Sequence, residues 1–180
     1  MPSIHILSVD SGQATHGIRA AAEYWNAAVS VTWVGNSRQV VDVLGSEPQY
    51  DAIVIEGHGD ERGLLLTELA PSIRADYPFI DLIAPNDFRS FLKLRGNMVL
   101  NLSCCGGSPS MPQALLDGGA RFYIGAGGYP EGDDALMYAL SFLFFYLVRN
   151  LTPPAAHGES TRFDSPGVFR CWSAQSRSGA

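Results

Sequence analysis

Two stretches decide the fold: Tyr50-Asp51-Ala52-Ile53-Val54-Ile55-Glu56-Gly57-His58-Gly59 and Asn97-Met98-Val99-Leu100-Asn101-Leu102-Ser103-Cys104-Cys105-Gly106-Gly107. Each is a near-continuous apolar run that ends in glycines and a chemically active side chain. A strand buried on both faces reads this way, because neither face can carry a polar alternation. Such strands belong to parallel sheets covered by helices on both sides. Working outward, residues 4–9, 29–34 and 121–126 are further short apolar or β-branched runs, each closed by a turn signal. Between them lie helical stretches: the Ala-rich residues 18–28, a short helix at 37–44 capped by Ser37, one through Leu94 capped by Asn86 or Asp87, one near 111–116, and a long one from Asp133 to about Asn150. Pro153-Pro154 is expected to end the last of these. Residues 56–85 lack periodicity and read as a loop or short hairpin. Strands alternating with helices predict one α/β domain over 1–180, a three-layer α/β/α sandwich with a mostly parallel central sheet. Its core takes about residues 1–150. Residues 151–180 read as a polar tail with an edge strand near 168–172.

Composition agrees with this. The 180 residues are 46% hydrophobic and 17% charged, enough to bury a core without disulfides or a structural metal. A net charge of −6 leaves no basic stripe for phosphates, so no nucleic acid is expected as partner. Three cysteines, two of them adjacent, do not make a disulfide framework, which points to a reducing, cytoplasmic setting. Met1-Pro2-Ser3-Ile4-His5 does not read as a signal peptide, and the apolar run 135–148 is too short to span a bilayer. Hence no membrane is expected as partner.

In open parallel sheets, sites form at the carboxyl ends of the strands. That rule selects His58 after the first run and Cys105 after the second. If the strands are neighbours, imidazole and thiol meet, and the imidazole can take the thiol proton or stabilise its thiolate. The backbone N–H groups of Gly59 and Cys105 are candidate oxyanion donors. Cys104 reads as a small buried residue, and becomes the nucleophile if the register slips. Cys171 reads as a structural thiol.

Here the chain resembles the caspase-like cysteine peptidase superfamily. The caspase signature Q-A-C-[RQG]-G, with a histidine about fifty residues upstream, is matched in its last three positions by Cys105-Gly106-Gly107, with His58 forty-seven residues before Cys105. Ser103 stands where caspases carry glutamine and metacaspases aspartate. Ala114-Leu115-Leu116-Asp117-Gly118-Gly119-Ala120-Arg121-Phe122-Tyr123-Ile124-Gly125, and Tyr129-Pro130 followed by Asp133-Asp134, resemble the CHAT and gingipain branches. The resemblance covers about residues 50–148. It implies a cysteine endopeptidase with a His58–Cys105 dyad and a protein or peptide substrate. No cofactor is expected, and no metal, because no two His or Cys residues have ligand spacing on one element. An activating protein partner and a homodimer are compatible with the resemblance.

Substrate-pocket candidates are Asp10, Ser103 and Asp133. Asp10 equally reads as a turn cap, and Asp133 as a helix-opening carboxylate that suits the helix dipole. Asp60 and Glu61 read as a solvated loop or as partners of His58. The aromatic series Tyr138, Phe142, Phe145 and Tyr146 reads as core or a dimer face. Two other classes stay open. One is a catalytically silent caspase-fold binding or regulatory module. The other is a class I glutamine amidotransferase-like hydrolase using Cys105 with His157 and Glu159. A phosphate loop is excluded, because Ile18-Arg19 stand where Gly12 to Gly17 would need Lys and Ser/Thr to follow.

Overall fold

A computed structural model describes residues 1–9, 12–103, 110–164 and 167–174. The chain opens with β1 (Ser3–Val9), α1 (Gln13–Tyr24), β2 (Ala28–Val34), α2 (Ser37–Gly45) and β3 (Ala52–Glu56). Three short strands follow, β4 (Gly59–Asp60), β5 (Gly63–Leu65) and β6 (Leu82–Ile83), then α3 (Pro85–Phe91), β7 (Met98–Asn101), α4 (Ser110–Asp117) and β8 (Phe122–Ala126). The chain continues through α5 (Gly132–Leu143), a π-helical extension over Phe144–Val148, α6 (Pro153–Ser160) and β9 (Phe169–Ser173).

The main sheet has the order β2-β1-β3-β7-β8-β9, and every pairing is parallel except that of β9 with β8. The winding direction dictates which helix covers which face. Parallel crossovers are right-handed, so reversing direction between β1→β2 and β2→β3 must put α1 and α2 on opposite faces. The strand residues sort accordingly. Ile4, Ile6, Ala52, Val54, Met98 and Leu100 pack with α1, α5 and α6. Leu7, Val9, Ile53, Ile55 and Val99 pack with α2, α3 and α4. This is the expected three-layer α/β/α sandwich with a mostly parallel sheet. Residues 59–83 form a separate three-stranded antiparallel sheet in the order β4-β5-β6, the hairpin alternative for that stretch.

Several local expectations shift. α1 starts at Gln13 and ends at Tyr24; Asn26 turns the chain at φ 64°, so Ala28 already belongs to β2. Ser37 is the first helical residue rather than the cap. Its hydroxyl donates to the Phe79 carbonyl at 2.6 Å and accepts from the Phe79 N–H at 3.1 Å. Asp87 sits in the first turn of α3 and accepts the Ala84 N–H at 2.9 Å. Pro153-Pro154 opens α6 instead of only ending a helix, since proline lacks an N–H that the first turn does not need. The stretch expected as a polar tail thus carries a helix and the edge strand β9. Phe169 of β9 stacks on Tyr138 of α5 with centroids 4.0 Å apart and planes 6° apart. Tyr138 and Phe142 are core residues, fully buried.

His5 is a buried polar residue of β1. Its Nδ1 lies 2.7 Å from Ser30 Oγ and its Nε2 3.0 Å from Thr32 Oγ1. Burial pushes its pKa below the ordinary 6.5. The folded protein therefore resists a proton that the unfolded chain accepts. Stability is fully present above pH 6.5 and falls as pH drops below it. Urea unfolding at pH 7.5 and pH 5.5 is expected to show this loss, and His5→Gln is expected to reduce it. An unchanged pH slope in the variant counts against His5 as its source.

Candidate active site

The main sheet changes winding direction between β1 and β3, and the connections that leave their carboxyl ends run to opposite faces of the sheet. Open α/β sheets take ligands at such a switch point. A cavity of about 350 Å³ occupies the place. Its walls come from the first turn of α1 (Gln13, Ala14), the end of β3 (Glu56, Gly57, His58), Leu102 after β7, and the start of α5 (Gly132, Asp133, Leu136). Helix N-termini and strand carboxyl ends thus meet at one opening.

His58 follows β3 by two residues and is exposed at this opening. Its backbone is held from both sides. Its carbonyl accepts the Leu65 N–H at 3.0 Å. Gly57 before it has φ 152°, and a Cβ there would lie 2.3 Å from the Val9 carbonyl oxygen. The bond from Leu65 to His58 makes Gly59 and Leu64 a non-hydrogen-bonded pair of the β4–β5 ladder. The Gly59 N–H therefore points away from β5, as an oxyanion donor requires.

β3 and β7 are hydrogen-bonded neighbours, paired in register from Ala52↔Met98 to Ile55↔Asn101. The end of β7 is built by Asn101, which is buried. Its Oδ1 accepts the Ser103 N–H at 2.9 Å and the Ser103 hydroxyl at 2.6 Å, and its Nδ2 donates to Tyr123 Oη at 3.0 Å. Ser103 is fully buried in this turn, so it does not line the cavity as expected of a pocket residue. Strand alternation puts it on the face opposite Leu102. Asn101 was not among the sequence candidates; only the register shows that it faces Tyr123 and the turn. Asn101→Ala would remove three hydrogen bonds from a buried turn and is expected to cost about 1–3 kcal/mol of unfolding free energy in urea titrations.

Asp133 is on the cavity wall, exposed, at the start of α5. Asp10, Cys104 and Cys105 lie outside the described residues. Asp60 accepts from the Arg62 backbone N–H at 2.8 Å and from its guanidinium at 2.6 and 2.9 Å, and Arg62 holds its pKa below the usual carboxylate value. Glu61 accepts the Tyr129 hydroxyl at 2.9 Å, which ties the β4–β5 turn to the loop after β8.

Glu56 is the residue that sequence reasoning passed over. It is buried, on the same face as Ser8, its register partner on β1. Ser8 Oγ and Thr15 Oγ1 lie 3.1 and 3.0 Å from its Oε2.

The amidotransferase candidates His157 and Glu159 both lie on α6. They are two residues apart and so do not face each other. His157 Nδ1 is 2.7 Å from Tyr138 Oη, and Glu159 pairs with Arg162 at 2.7 Å. Cys171, half-buried on β9, has its thiol pKa pushed up to about 11 by burial, as a structural thiol should. No group of three or more potential metal ligands occurs among the described residues, and none of their helices is long and apolar enough to cross a membrane. Compared with known protein families and with curated proteins, the chain matches none.

Proposed function

We propose that this protein is a cysteine endopeptidase that cleaves peptide bonds with a His58–Cys105 dyad. The observation that carries the reading is the pairing of β3 with β7, parallel and in register. It brings to one sheet edge the strand that ends two residues before His58 and the strand whose continuation is Ser103-Cys104-Cys105. The cavity at that edge, the exposure of His58 there and the direction of the Gly59 N–H support it.

In this mechanism the Cys105 thiolate attacks the scissile carbonyl carbon and a C–S bond forms. The carbonyl oxygen becomes an oxyanion, stabilised by the N–H groups of Gly59 and Cys105. His58 gives its proton to the departing nitrogen and the C–N bond breaks, leaving a thioester. His58 then takes a proton from water, which attacks the thioester; the C–S bond breaks and releases the acid and the thiolate.

The test is cleavage of a diverse fluorogenic peptide library by the wild type, Cys105→Ala, Cys104→Ala and His58→Ala. Cleavage by the wild type and by Cys104→Ala alone is the expected result. Cleavage that survives Cys105→Ala overturns the assignment, and no cleavage by any protein favours a caspase-fold binding module.

A further inference from the structure

We propose that β2 is a dimer interface: this free edge of the main sheet pairs antiparallel with β2 of a second copy of the chain, across a two-fold axis at Val31. The interface does not depend on the peptidase reading.

The strand order ends in β2, which pairs with β1. An edge strand presents a row of backbone N–H and C=O groups to any other chain, and proteins normally blunt it with a short strand, a bulge, a proline or a charge. β2 has none of these. It runs for seven residues, Ala28-Val29-Ser30-Val31-Thr32-Trp33-Val34, matched one to one with Ser3–Val9. β9, at the other end of the sheet, is shorter and carries Arg170. The Ala28 N–H donates to the Pro2 carbonyl at 2.8 Å, on the β1 side. In a parallel pair, alternate residues turn both backbone groups to the partner strand. Ser30, Thr32 and Val34 therefore face β1 as Ala28 does, and Val29, Val31 and Trp33 turn their N–H and C=O outward. Among the described residues, none is hydrogen-bonded to these outward groups.

The strand is self-complementary about Val31. Setting Val31 against the partner's Val31 sets Val29 against the partner's Trp33. Outward groups then meet outward groups, and each of these pairs exchanges both of its bonds. Val29 and Val31 pack on the α1 face of the sheet, and the Trp33 ring lies 5.1 Å from His16 of α1. On that face the pairing puts an aromatic ring against a β-branched side chain on either side of a valine pair, a favoured cross-strand combination. It also covers Trp33, which is 48% exposed in the single chain. On the other face Ser30 meets the partner's Thr32, hydroxyl opposite hydroxyl, at the positions where antiparallel side chains stand closest. His5 holds both hydroxyls in place, with Nδ1 2.7 Å from Ser30 Oγ and Nε2 3.0 Å from Thr32 Oγ1. A two-fold contact also uses up both free edges and closes, so it joins two sheets into one without starting a fibre. An unrelated strand would satisfy the backbone but has no reason to match both faces.

The experiment measures the mass of the full chain by sedimentation equilibrium over a concentration series, with amide hydrogen exchange followed by NMR on the same samples. A monomer–dimer equilibrium is expected. As the dimer fraction rises, the amides of Val29, Val31 and Trp33 are expected to become protected, while those of Ser30, Thr32 and Val34 are protected at every concentration. Val31→Pro removes an outward N–H and no bond to β1, a place where an edge strand tolerates proline. Trp33→Lys puts a charge opposite the partner's Val29. Each variant is expected to weaken dimerisation by about tenfold or more, since every lost pair is lost twice across the two-fold axis. A monomer at every concentration overturns the proposal, whatever else the edge binds. So does a dimer in which the Val29, Val31 and Trp33 amides exchange as fast as in the monomer. Both results are read on the wild type and hold whether or not a variant folds. Undiminished dimerisation of both folded variants overturns it as well. Peptide cleavage enters none of these readouts, so failure of the peptidase reading leaves the interface standing.

Discussion

Cys105→Ala and His58→Ala are each expected to lower kcat/KM for peptide cleavage by about 10³-fold or more, with the double variant no worse than the poorer single one. The reason is that the two groups act as one unit. An uncharged thiol is a weak nucleophile; the imidazole makes the thiolate available and then carries the proton to the leaving nitrogen. Removing either leaves only oxyanion stabilisation and substrate positioning, which in hydrolases of this kind retain a small residual rate. Two such losses that simply multiplied would mean that the groups work in separate steps, and the dyad would have to be abandoned. KM should change much less than kcat, because neither side chain is asked to hold the substrate's side chain. Circular dichroism spectra matching the wild type are the control, since His58 is exposed.

The architecture was legible because its signal is redundant. Residues 52–55 and 98–100 are apolar without alternation and are buried on both faces, so the run itself states the environment. Layer assignment needed only the right-handed crossover rule. The site was legible to the level of strand ends and no further. Glu56 and Ser103 look alike in sequence, each a polar residue closing an apolar run. Their fates differ because Glu56 has the parity of Val54 and meets Ser8 and Thr15, whereas Ser103 has the parity of Val99 and falls back on Asn101. Parity can be counted along one strand. Which face carries the cavity cannot, since that depends on where α1 and α5 begin. Pro153-Pro154 shows a different ambiguity, because the same dipeptide that ends one helix is well suited to start the next. Gly57 and Gly63 read only as loop residues, although each is a point where backbone meets backbone.

Gly57→Ala is expected to be among the most damaging single-methyl changes at the described glycines, costing about 3 kcal/mol or more. Two effects add at this position. Its φ of 152° lies where side chains are rarely tolerated, which costs on the order of 1–3 kcal/mol. The new Cβ would also lie 2.3 Å from the Val9 carbonyl oxygen and 2.8 Å from Val9 Cβ. Val9 cannot yield cheaply. It is the last residue of a central strand, fully buried, and paired in register with Val34 of β2. Overpacking of this kind adds about 1–3 kcal/mol where the surroundings are rigid. The alternative to paying both is to move the segment after β3, which carries His58 and is fixed by the bond from Leu65. Stability and activity should therefore fail together: a lower urea midpoint, and cleavage reduced even under conditions where the variant is folded. Gly96→Ala is the matched control, since its added methyl meets nothing within 4 Å at a φ of 78° and isolates the backbone penalty. If the two variants lose the same stability, the close approach to Val9 contributes nothing, and Gly57 is there for its backbone angle alone.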